Sequence, residues 1–210
     1  MSDGTEEIAD LEQQNSHYPT TELETVTIRF AGDSGDGMQL TGNQFTQSSV
    51  MLGNDVITFP DYPAEIRAPA GTLAGVSGFE LSFSKHDIHA TGDRISVLIA
   101  MNPAALKMNL GDLEKGGILI INSDSFSEND LRKAEYNSNP LDSEEIQNFR
   151  LVQIPITHLT LKAVEESGLS HREGGRCKNF FALGVVQWLF DRPIGTTRDW
   201  IQQKFKKREE

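Results

Sequence analysis

The sequence contains a single cysteine, Cys177, among its 210 residues. One thiol can build neither a disulfide within the chain nor a cysteine-ligated iron–sulfur cluster, so any such cluster must be held by another polypeptide. Apolar runs are also short, and none approaches the roughly 20 residues that a membrane-spanning helix needs. Residues 1–24 lack the basic and apolar regions of a secretory signal. We therefore expect a cytoplasmic protein that does not bind membranes.

Basic residues are scarce as well. The chain has 19 lysines and arginines against 31 aspartates and glutamates, which gives a formal net charge of −12. The basic side chains are scattered except near the C-terminal end. Nucleic-acid binding requires a basic surface that displaces counterions from phosphates. The composition therefore argues against nucleic acid as a partner.

The pattern of polar and apolar residues divides the chain into three parts. Residues 1–22 are acidic with few periodic apolar positions, which predicts a disordered tail. Residues 23–192 have the length of one domain and alternate between strand-like and helix-like patterns. Residues 193–210 predict a charged C-terminal helix, which we interpret as a link to a following domain.

The alternation of strand-like and helix-like runs indicates the fold class. Two continuous apolar runs, Arg94–Asn102 and Gly116–Asp124, are typical of central parallel strands that are covered on both faces. The late part of Leu73–Ser84 alternates apolar with other residues, which predicts a strand with one buried face. We expect an α/β fold: an open, mostly parallel, Rossmann-like sheet with helices on both faces.

The first β-α-β unit can be outlined in more detail. Thr25–Ala31 predicts a strand, the following helix should end at Gly53, and Asp55–Phe59 predicts the next strand. This order predicts that the two strands form a parallel pair. Further along, Asn102 followed by Pro103 is typical of a helix start.

A glycine-rich segment, GDSGDG, joins the first strand to the first helix. Its glycines are Gly32, Gly35 and Gly37, and Asp33 and Asp36 lie between them. The spacing reverses that of the dinucleotide fingerprint, and no Gly-Lys-Ser/Thr follows as in a P-loop. Two carboxylates would also repel a phosphate. The segment is therefore not a typical diphosphate cradle.

Two interpretations of this glycine loop remain open. The glycines can serve sterically, where the chain needs positive φ or a close helix–strand approach. Alternatively, the amides from Ser34 onward point outward from the helix start and bind a ligand or partner group. In that case Asp33 and Asp36 favour hydroxyl, amide or cationic groups over a bare phosphate.

A second irregular segment, Phe59–Gly75, follows the next predicted strand. It contains three prolines and the charged pair Glu65 and Arg67. A long, stiffened loop at the carboxyl end of a parallel strand lies where open α/β sheets bind ligands. The alternative is an ordinary surface loop whose charged pair is solvated.

These segments together resemble a known family. RFAGDSGDGMQLTGNQFTQSS, FPDYPAEIRAPAGTLAGVSGFELSFS, ISVLIAMNPAAL and LEKGGILIINSD follow one another in the chain. In this order they resemble the gamma domain of thiamine-diphosphate-dependent 2-oxoacid:ferredoxin (acceptor) oxidoreductases, in the version found at the N-terminus of the alpha subunit of 2-oxoglutarate-type enzymes. The resemblance runs from Thr25 to Lys207. Most of the family has Arg-Gly-Gly where this chain has Arg67-Ala68-Pro69.

The resemblance implies a role in an oxidoreductase that converts a 2-oxoacid and coenzyme A into acyl-CoA, carbon dioxide and reduced ferredoxin, with 2-oxoglutarate as the expected substrate. Thiamine diphosphate would bind between a pyrimidine-binding alpha domain and the beta subunit, and the iron–sulfur clusters would lie on partner chains. This domain would contribute to assembly and to binding of coenzyme A, and would carry no catalytic residue. The chain would be a separate subunit or a piece of a longer alpha chain.

The resemblance also implies candidate residues for contacts with coenzyme A or with a neighbouring domain. Lys178 or Arg176 would add positive charge for the phosphates of coenzyme A. The two candidate loops contribute Gly32, Ser34, Gly35, Asp36, Gly37, Glu65 and Arg67.

A different class of function also fits the sequence. The chain could be a free-standing regulatory α/β module that binds a small molecule or nucleotide. An oxidoreductase domain should expose an apolar patch that its partners cover, whereas a free-standing module should bind its ligand as a monomer. His86 and His89 have a spacing that suits two metal ligands, but they lack a third, and we predict no metal site.

Overall fold

A computed structural model describes residues 20–62, 75–90 and 92–205. The described chain forms one six-stranded sheet in the order β2–β3–β1–β4–β5–β6. The strands are β1 (Thr25–Asp33), β2 (Asp55–Asp61), β3 (Val76–Ser84), β4 (Ile95–Ala100), β5 (Leu113–Asn122) and β6 (Arg150–Ile154). The helices are α1 (Met38–Met51), α2 (Pro103–Asn109), α3 (Glu128–Lys133), α4 (Ile156–Ala163), α5 (His171–Gly175), α6 (Lys178–Leu189) and α7 (Gly195–Phe205).

The sheet is open and mostly parallel, as the sequence predicts. Parallel pairing joins β1 to β4, β4 to β5 and β5 to β6. Strand β3 pairs antiparallel with both β1 and β2. In the described sheet five strands therefore run in one direction, and β3 alone runs in the other.

The predicted parallel pairing of the first two strands is wrong. Strands β1 and β2 run in the same direction, but β3 lies between them and takes the hydrogen bonds of both. The prediction of one buried face for β3 is wrong too, since eight of its nine residues are buried. Small polar residues occupy the face that was expected to be exposed. They form hydrogen bonds within the sheet, such as the one between the hydroxyls of Ser82 and Thr27 at 2.7 Å.

Each face of the sheet carries its own apolar core, which confirms the predicted helices on both faces. One core includes Phe30 of β1, Phe45 of α1, Ile156 of α4 and Leu183 of α6. The other core packs α2, through Leu106 among others, against inward-facing residues of β4 and β5. No helix within the described ranges is long and apolar enough to cross a membrane.

Two predicted helix ends are confirmed. The side-chain oxygen of Asn102 accepts a hydrogen bond from the N–H of Ala105 at 2.8 Å and so caps α2, with Pro103 at the first helical position. Helix α1 ends just before Gly53, whose φ of +81° suits the left-handed turn after a helix. The Gly53 N–H donates to the carbonyl of Val50 at 2.9 Å.

An arginine ties the middle of the sheet to the end of α2. Arg29 on β1 donates from Nε to Glu80 on β3 at 3.0 Å and from Nη1 to Asn109 at 3.1 Å. It also forms an ion pair with Asp112, in the turn that leads into β5. One guanidinium group therefore links three segments that are far apart in sequence.

The two edge strands differ in how open they are to further pairing. Strand β2 carries Pro60, which has no N–H to donate, and an exposed aspartate at each end, Asp55 and Asp61. Strand β6, at the opposite edge, contains no proline.

Two glycines inside helices make a matched pair for testing how closely α1 lies on the sheet. A Cβ atom at Gly42 in α1 would lie 2.0 Å from the ring of Phe79 on β3. A Cβ atom at Gly184 in α6 would meet nothing within 4 Å. Close helix–sheet packing therefore requires glycine at the first position only.

We predict opposite effects of alanine at these two positions. Gly42→Ala should lower the free energy of unfolding by about 1–3 kcal/mol, because α1 must move off the sheet. Gly184→Ala should raise it by about 0.5–1 kcal/mol, because alanine restricts the unfolded chain and favours helix. Urea denaturation followed by circular dichroism measures both. A neutral Gly42→Ala would contradict the close contact with Phe79.

Candidate functional site

The candidate site lies at the carboxyl ends of β1 and β4. From β1 the chain turns toward β2, and from β4 it turns the other way, toward β5. Helices α1 and α2, which follow these strands, pack on opposite faces of the sheet. Neighbouring strands whose connections diverge in this way leave a crevice between them, where open α/β sheets bind ligands.

The glycine loop, residues 32–37, forms one wall of this crevice, and its glycines differ in their surroundings. A Cβ at Gly32 would lie 2.9 Å from a carboxylate oxygen of Asp36. Gly37 has a φ of +75°, and a Cβ there would lie 2.6 Å from the side chain of Asn179. Gly35 is exposed with nothing within 4 Å of its Cβ position. The steric interpretation therefore explains Gly32 and Gly37 and leaves Gly35 unexplained.

The two aspartates of the loop bind the protein itself. Asp33 accepts a hydrogen bond from the side-chain amide of Asn102 at 2.7 Å. Asp36 forms an ion pair with Lys178 at 2.8 Å, and its second oxygen accepts the N–H of Asp33 at 3.1 Å. Only 11% of the Asp36 side chain and 23% of the Lys178 side chain are exposed. The carboxylates thus fasten the loop to the starts of α2 and α6.

The ion pair also compensates for the position of Lys178 in its helix. Lys178 is the first residue of α6, where the positive end of the helix dipole disfavours a cation. A carboxylate at 2.8 Å offsets that repulsion. The negative charge of Asp36 is therefore already balanced within the domain.

The carboxyl group of Asp33 is harder to ionise than an ordinary aspartate. Asp33 as a residue is exposed, but its carboxyl group lies partly buried at the crevice wall. Burial raises its pKa, and the nearby Asp36 raises it further. The hydrogen bond from Asn102 and the charge of Lys178 act in the opposite direction but do not cancel the increase.

The other predicted site residues fall into two groups. Ser34 and Gly35 form the exposed tip of the loop, and Arg176 is exposed just before α6. Glu65 and Arg67 lie outside the described residues, so their proposed role stays a prediction. Among the described residues no group of three or more histidine, cysteine, aspartate or glutamate side chains could hold a metal ion.

Sequence reasoning missed one member of the site, Asn179. Only 4% of Asn179 is exposed to solvent. Its side-chain oxygen has no hydrogen-bond partner in the described part of the chain. Asn179 packs against Gly37, which lies 142 positions earlier in the sequence. Nothing local in the sequence links these two positions. Asn102 was predicted as a helix cap, but its second bond, to Asp33, was not predicted.

Together these features define an open α/β domain with a crevice at the point where its strand connections diverge. The model of one protein family, pyruvate ferredoxin/flavodoxin oxidoreductase, matches residues 27–210. The chain belongs to this family.

Individual relatives agree with that assignment. Over 188 residues the chain is 52% identical to the 2-oxoglutarate oxidoreductase subunit KorA of Mycobacterium tuberculosis (strain ATCC 25618 / H37Rv), and the match covers 90% of this chain and 29% of that subunit. The chain therefore spans under a third of the length of this relative.

Two solved structures share the fold. The 2-oxoglutarate:ferredoxin oxidoreductase of Magnetococcus marinus, solved with 2-oxoglutarate, coenzyme A and succinyl-CoA bound, matches with a TM-score of 0.67 and 24% identity, covering 90% of this chain and 28% of that chain. The gamma subunit of a keto/oxoacid ferredoxin oxidoreductase from Geobacter sulfurreducens PCA matches with a TM-score of 0.54 and 19% identity, covering 79% and 75%.

We predict that Asp33→Asn stabilises the protein in a pH-dependent way. A carboxyl group whose pKa is raised by folding holds its proton more tightly in the folded state, so stability falls as the pH rises from the ordinary value of 3.8 through the raised one. Asparagine removes this loss and keeps an oxygen for the bond from Asn102. The variant should therefore be more stable than the parent above that range and lose its advantage below pH 3.8.

Thermal unfolding measured across pH tests this prediction. Asp93→Asn is the matched control, because Asp93 is an exposed aspartate in a turn away from the loop. The control should show no such pH-dependent gain. An Asp33→Asn variant whose stability paralleled the parent at every pH would contradict the prediction.

We further predict that Asp36 and Lys178 are energetically coupled. Lys178→Met should lower the free energy of unfolding by about 1–2 kcal/mol, because it leaves a largely buried carboxylate without its partner. Adding Asp36→Asn should recover about 1 kcal/mol of that loss, which a double-mutant cycle in urea measures.

The exposed pair Lys85–Glu22 serves as the control cycle. Its side chains are 66% and 93% exposed and lie 3.8 Å apart, so Lys85→Met and Glu22→Gln should show no measurable coupling. Strictly additive effects of Lys178→Met and Asp36→Asn would mean that the buried pair contributes nothing.

Proposed function

We propose that this chain is the gamma-type domain of a 2-oxoglutarate:ferredoxin oxidoreductase, which converts 2-oxoglutarate and coenzyme A into succinyl-CoA, carbon dioxide and reduced ferredoxin. The observation that carries the proposal is the 52% identity to a 2-oxoglutarate oxidoreductase subunit over 90% of this chain. In such an assembly the domain works in the cytoplasm and serves binding and assembly, while partner domains carry the catalytic centre.

The residues present support this division of labour. A single cysteine cannot ligate an iron–sulfur cluster. No described group of side chains suits a divalent cation, such as the one that accompanies a diphosphate. When bound on the partner domains, thiamine diphosphate would supply the decarboxylation chemistry and the clusters would pass electrons to ferredoxin. On this proposal the partners are a beta subunit and a pyrimidine-binding alpha domain.

We assign the glycine loop to contacts with a neighbouring domain or with coenzyme A. Asp36 is paired with Lys178, and Asp33 accepts a hydrogen bond from Asn102. The exposed tip, Ser34 and Gly35, therefore presents backbone amides and a hydroxyl rather than free carboxylates. Such a tip suits a neutral, hydrogen-bonding group of a ligand or partner.

The phosphates of coenzyme A need positive charge from elsewhere. Lys178 is held by Asp36 and is a poorer candidate than the sequence alone indicates. Arg176 is exposed near the same helix start, and Arg67 lies in the second candidate loop. We therefore assign phosphate contacts to these two arginines.

Exposed apolar side chains support an assembled state. At the C-terminal end of α1, Val50, Met51 and Leu52 are 50–71% exposed. Trp188 of α6 and Ile194, just before α7, are 58% and 46% exposed. The ring of Phe45, in the middle of α1, packs against the ring of Phe190, the residue after α6. Exposed apolar surface of this kind is typical of an interface.

Purification of the tagged chain from its native cells tests the proposed function. We expect mass spectrometry to find a thiamine-diphosphate-binding beta subunit in the purified material, and we expect 2-oxoglutarate to reduce a viologen dye only when coenzyme A is present. A clean monomer without partner or activity, from cells that express the full set of subunits, would favour the free-standing module instead.

The same complex tests the assignment of phosphate contacts. Arg67→Ala should weaken coenzyme A binding about tenfold, the loss expected for one charge-assisted hydrogen bond. Arg150→Ala is the control, because Arg150 is exposed at the amino end of β6, at the opposite end of the sheet from the glycine loop. An unchanged affinity in Arg67→Ala would overturn the role of Arg67 while leaving the oxidoreductase assignment intact.

A further inference from the structure

An open cleft lies between helices α4 and α5, away from the glycine loop. Its volume of about 530 Å³ is within the range of small-molecule sites. Nine residues line it: His158, Leu161, Lys162, Val164, Glu165, Leu169, Ser170, His171 and Gly174.

The lining of the cleft includes groups that bind anions. His158 and Lys162 are four residues apart on α4 and therefore share one face of that helix. His171, the first residue of α5, completes the lining of the cleft. Lysine offers a cation, and a histidine ring offers an N–H donor in either protonation state. Such a group stands out in a chain with a net charge of −12.

The cation of Lys162 is not neutralised by the one acidic residue of the lining. Glu165 also borders the cleft, but the two form no ion pair, and the ion pairs found in the described residues involve neither of them. Lys162 therefore remains available to an incoming anion, while Glu165 should oppose it.

The lining of the cleft also includes apolar residues. Leu161, Val164 and Leu169 line it, and Leu169 is 46% exposed. Gly174 lets α5 approach α4, since a Cβ there would lie 2.9 Å from Val164. A second feature fixes α5: Ser170 and Glu173 form a reciprocal capping box at its start. The cleft is thus bounded by closely packed helices.

We propose that this cleft binds a small organic phosphate that carries an apolar ring. The phosphate would contact His158, Lys162 and His171, and the ring would lie on the side of Leu161, Val164 and Leu169. The inference does not depend on the proposed function, since it arises from the lining of the cleft alone.

Titration of the full chain, labelled with ¹⁵N, tests this proposal. The probe is adenosine 5′-monophosphate, followed by two-dimensional NMR up to about 10 mM, above the millimolar dissociation constant of a weak site. We expect saturable shifts confined to amides of residues 156–175. Adenosine and inorganic phosphate, added separately, should each bind at least about tenfold more weakly.

Charge variants make the test specific. Lys162→Glu should weaken binding of the nucleotide about tenfold or more, and Glu165→Gln should strengthen it severalfold. Lys115→Glu makes the same charge change at an exposed lysine on β5 and should leave the affinity unchanged. NMR spectra also report whether each variant is folded.

Four results would overturn the proposal. They are the absence of saturable shifts, shifts centred on the glycine loop instead, adenosine binding as tightly as its phosphate, and equal losses in Lys162→Glu and Lys115→Glu. Inorganic phosphate binding as tightly as the nucleotide would remove the apolar half of the proposed ligand.

Discussion

The hydrogen bonding of β1 on both sides determines the arrangement of the rest of the domain. All nine residues of β1 pair antiparallel with β3, and its second half pairs parallel with β4. With both edges occupied, the carboxyl end of β1 has a fixed position beside β4. The glycine loop must turn at this point, and the turn brings the Asp36 side chain so close to Gly32 that a Cβ there would lie 2.9 Å from its carboxylate. The crevice is therefore a consequence of strand order rather than of any single loop residue.

Two basic residues of this acidic chain, Arg29 and Lys178, lie where distant segments meet. Arg29 joins β1 to Glu80 on β3 and to Asp112 after α2. Lys178 joins the start of α6 to Asp36 in the glycine loop. In each case a cation allows carboxylates to lie close to buried backbone without net repulsion. These two cations thus balance carboxylates at contacts between segments that are distant in sequence.

Much of the fold could be predicted because helix ends and buried strands are encoded by short stretches of sequence. The Asn102–Pro103 helix start, Gly53 after α1 and the apolar runs of β4 and β5 all reflect backbone or burial preferences within a few residues. The position of β3 could not be predicted in this way. Strand order depends on pairing between segments 50 or so positions apart, such as Thr25 with Ser84, and an alternating pattern does not distinguish an exposed face from one lined with small, bonded polar groups.

The site was predicted less completely than the fold, for the same reason. The glycine loop was located from its composition, but the partners of its aspartates come from α2 and α6, and Asn179 reaches Gly37 only after folding. The sequence therefore pointed to the loop as a candidate but could not show that Asp33 and Asp36 bind Asn102 and Lys178 of the same chain. The charge of the two aspartates suggested that they repel phosphate, whereas in the structure they contact residues at the starts of α2 and α6.

The two edge strands of the sheet differ in how easily another strand can pair with them. Pro60 and the flanking Asp55 and Asp61 discourage another strand from adding beside β2. Along Arg150–Ile154, strand β6 has no proline and one charged residue, Arg150, at its start. Another strand, whether from a partner or from a second copy of the chain, therefore meets fewer obstacles beside β6 than beside β2.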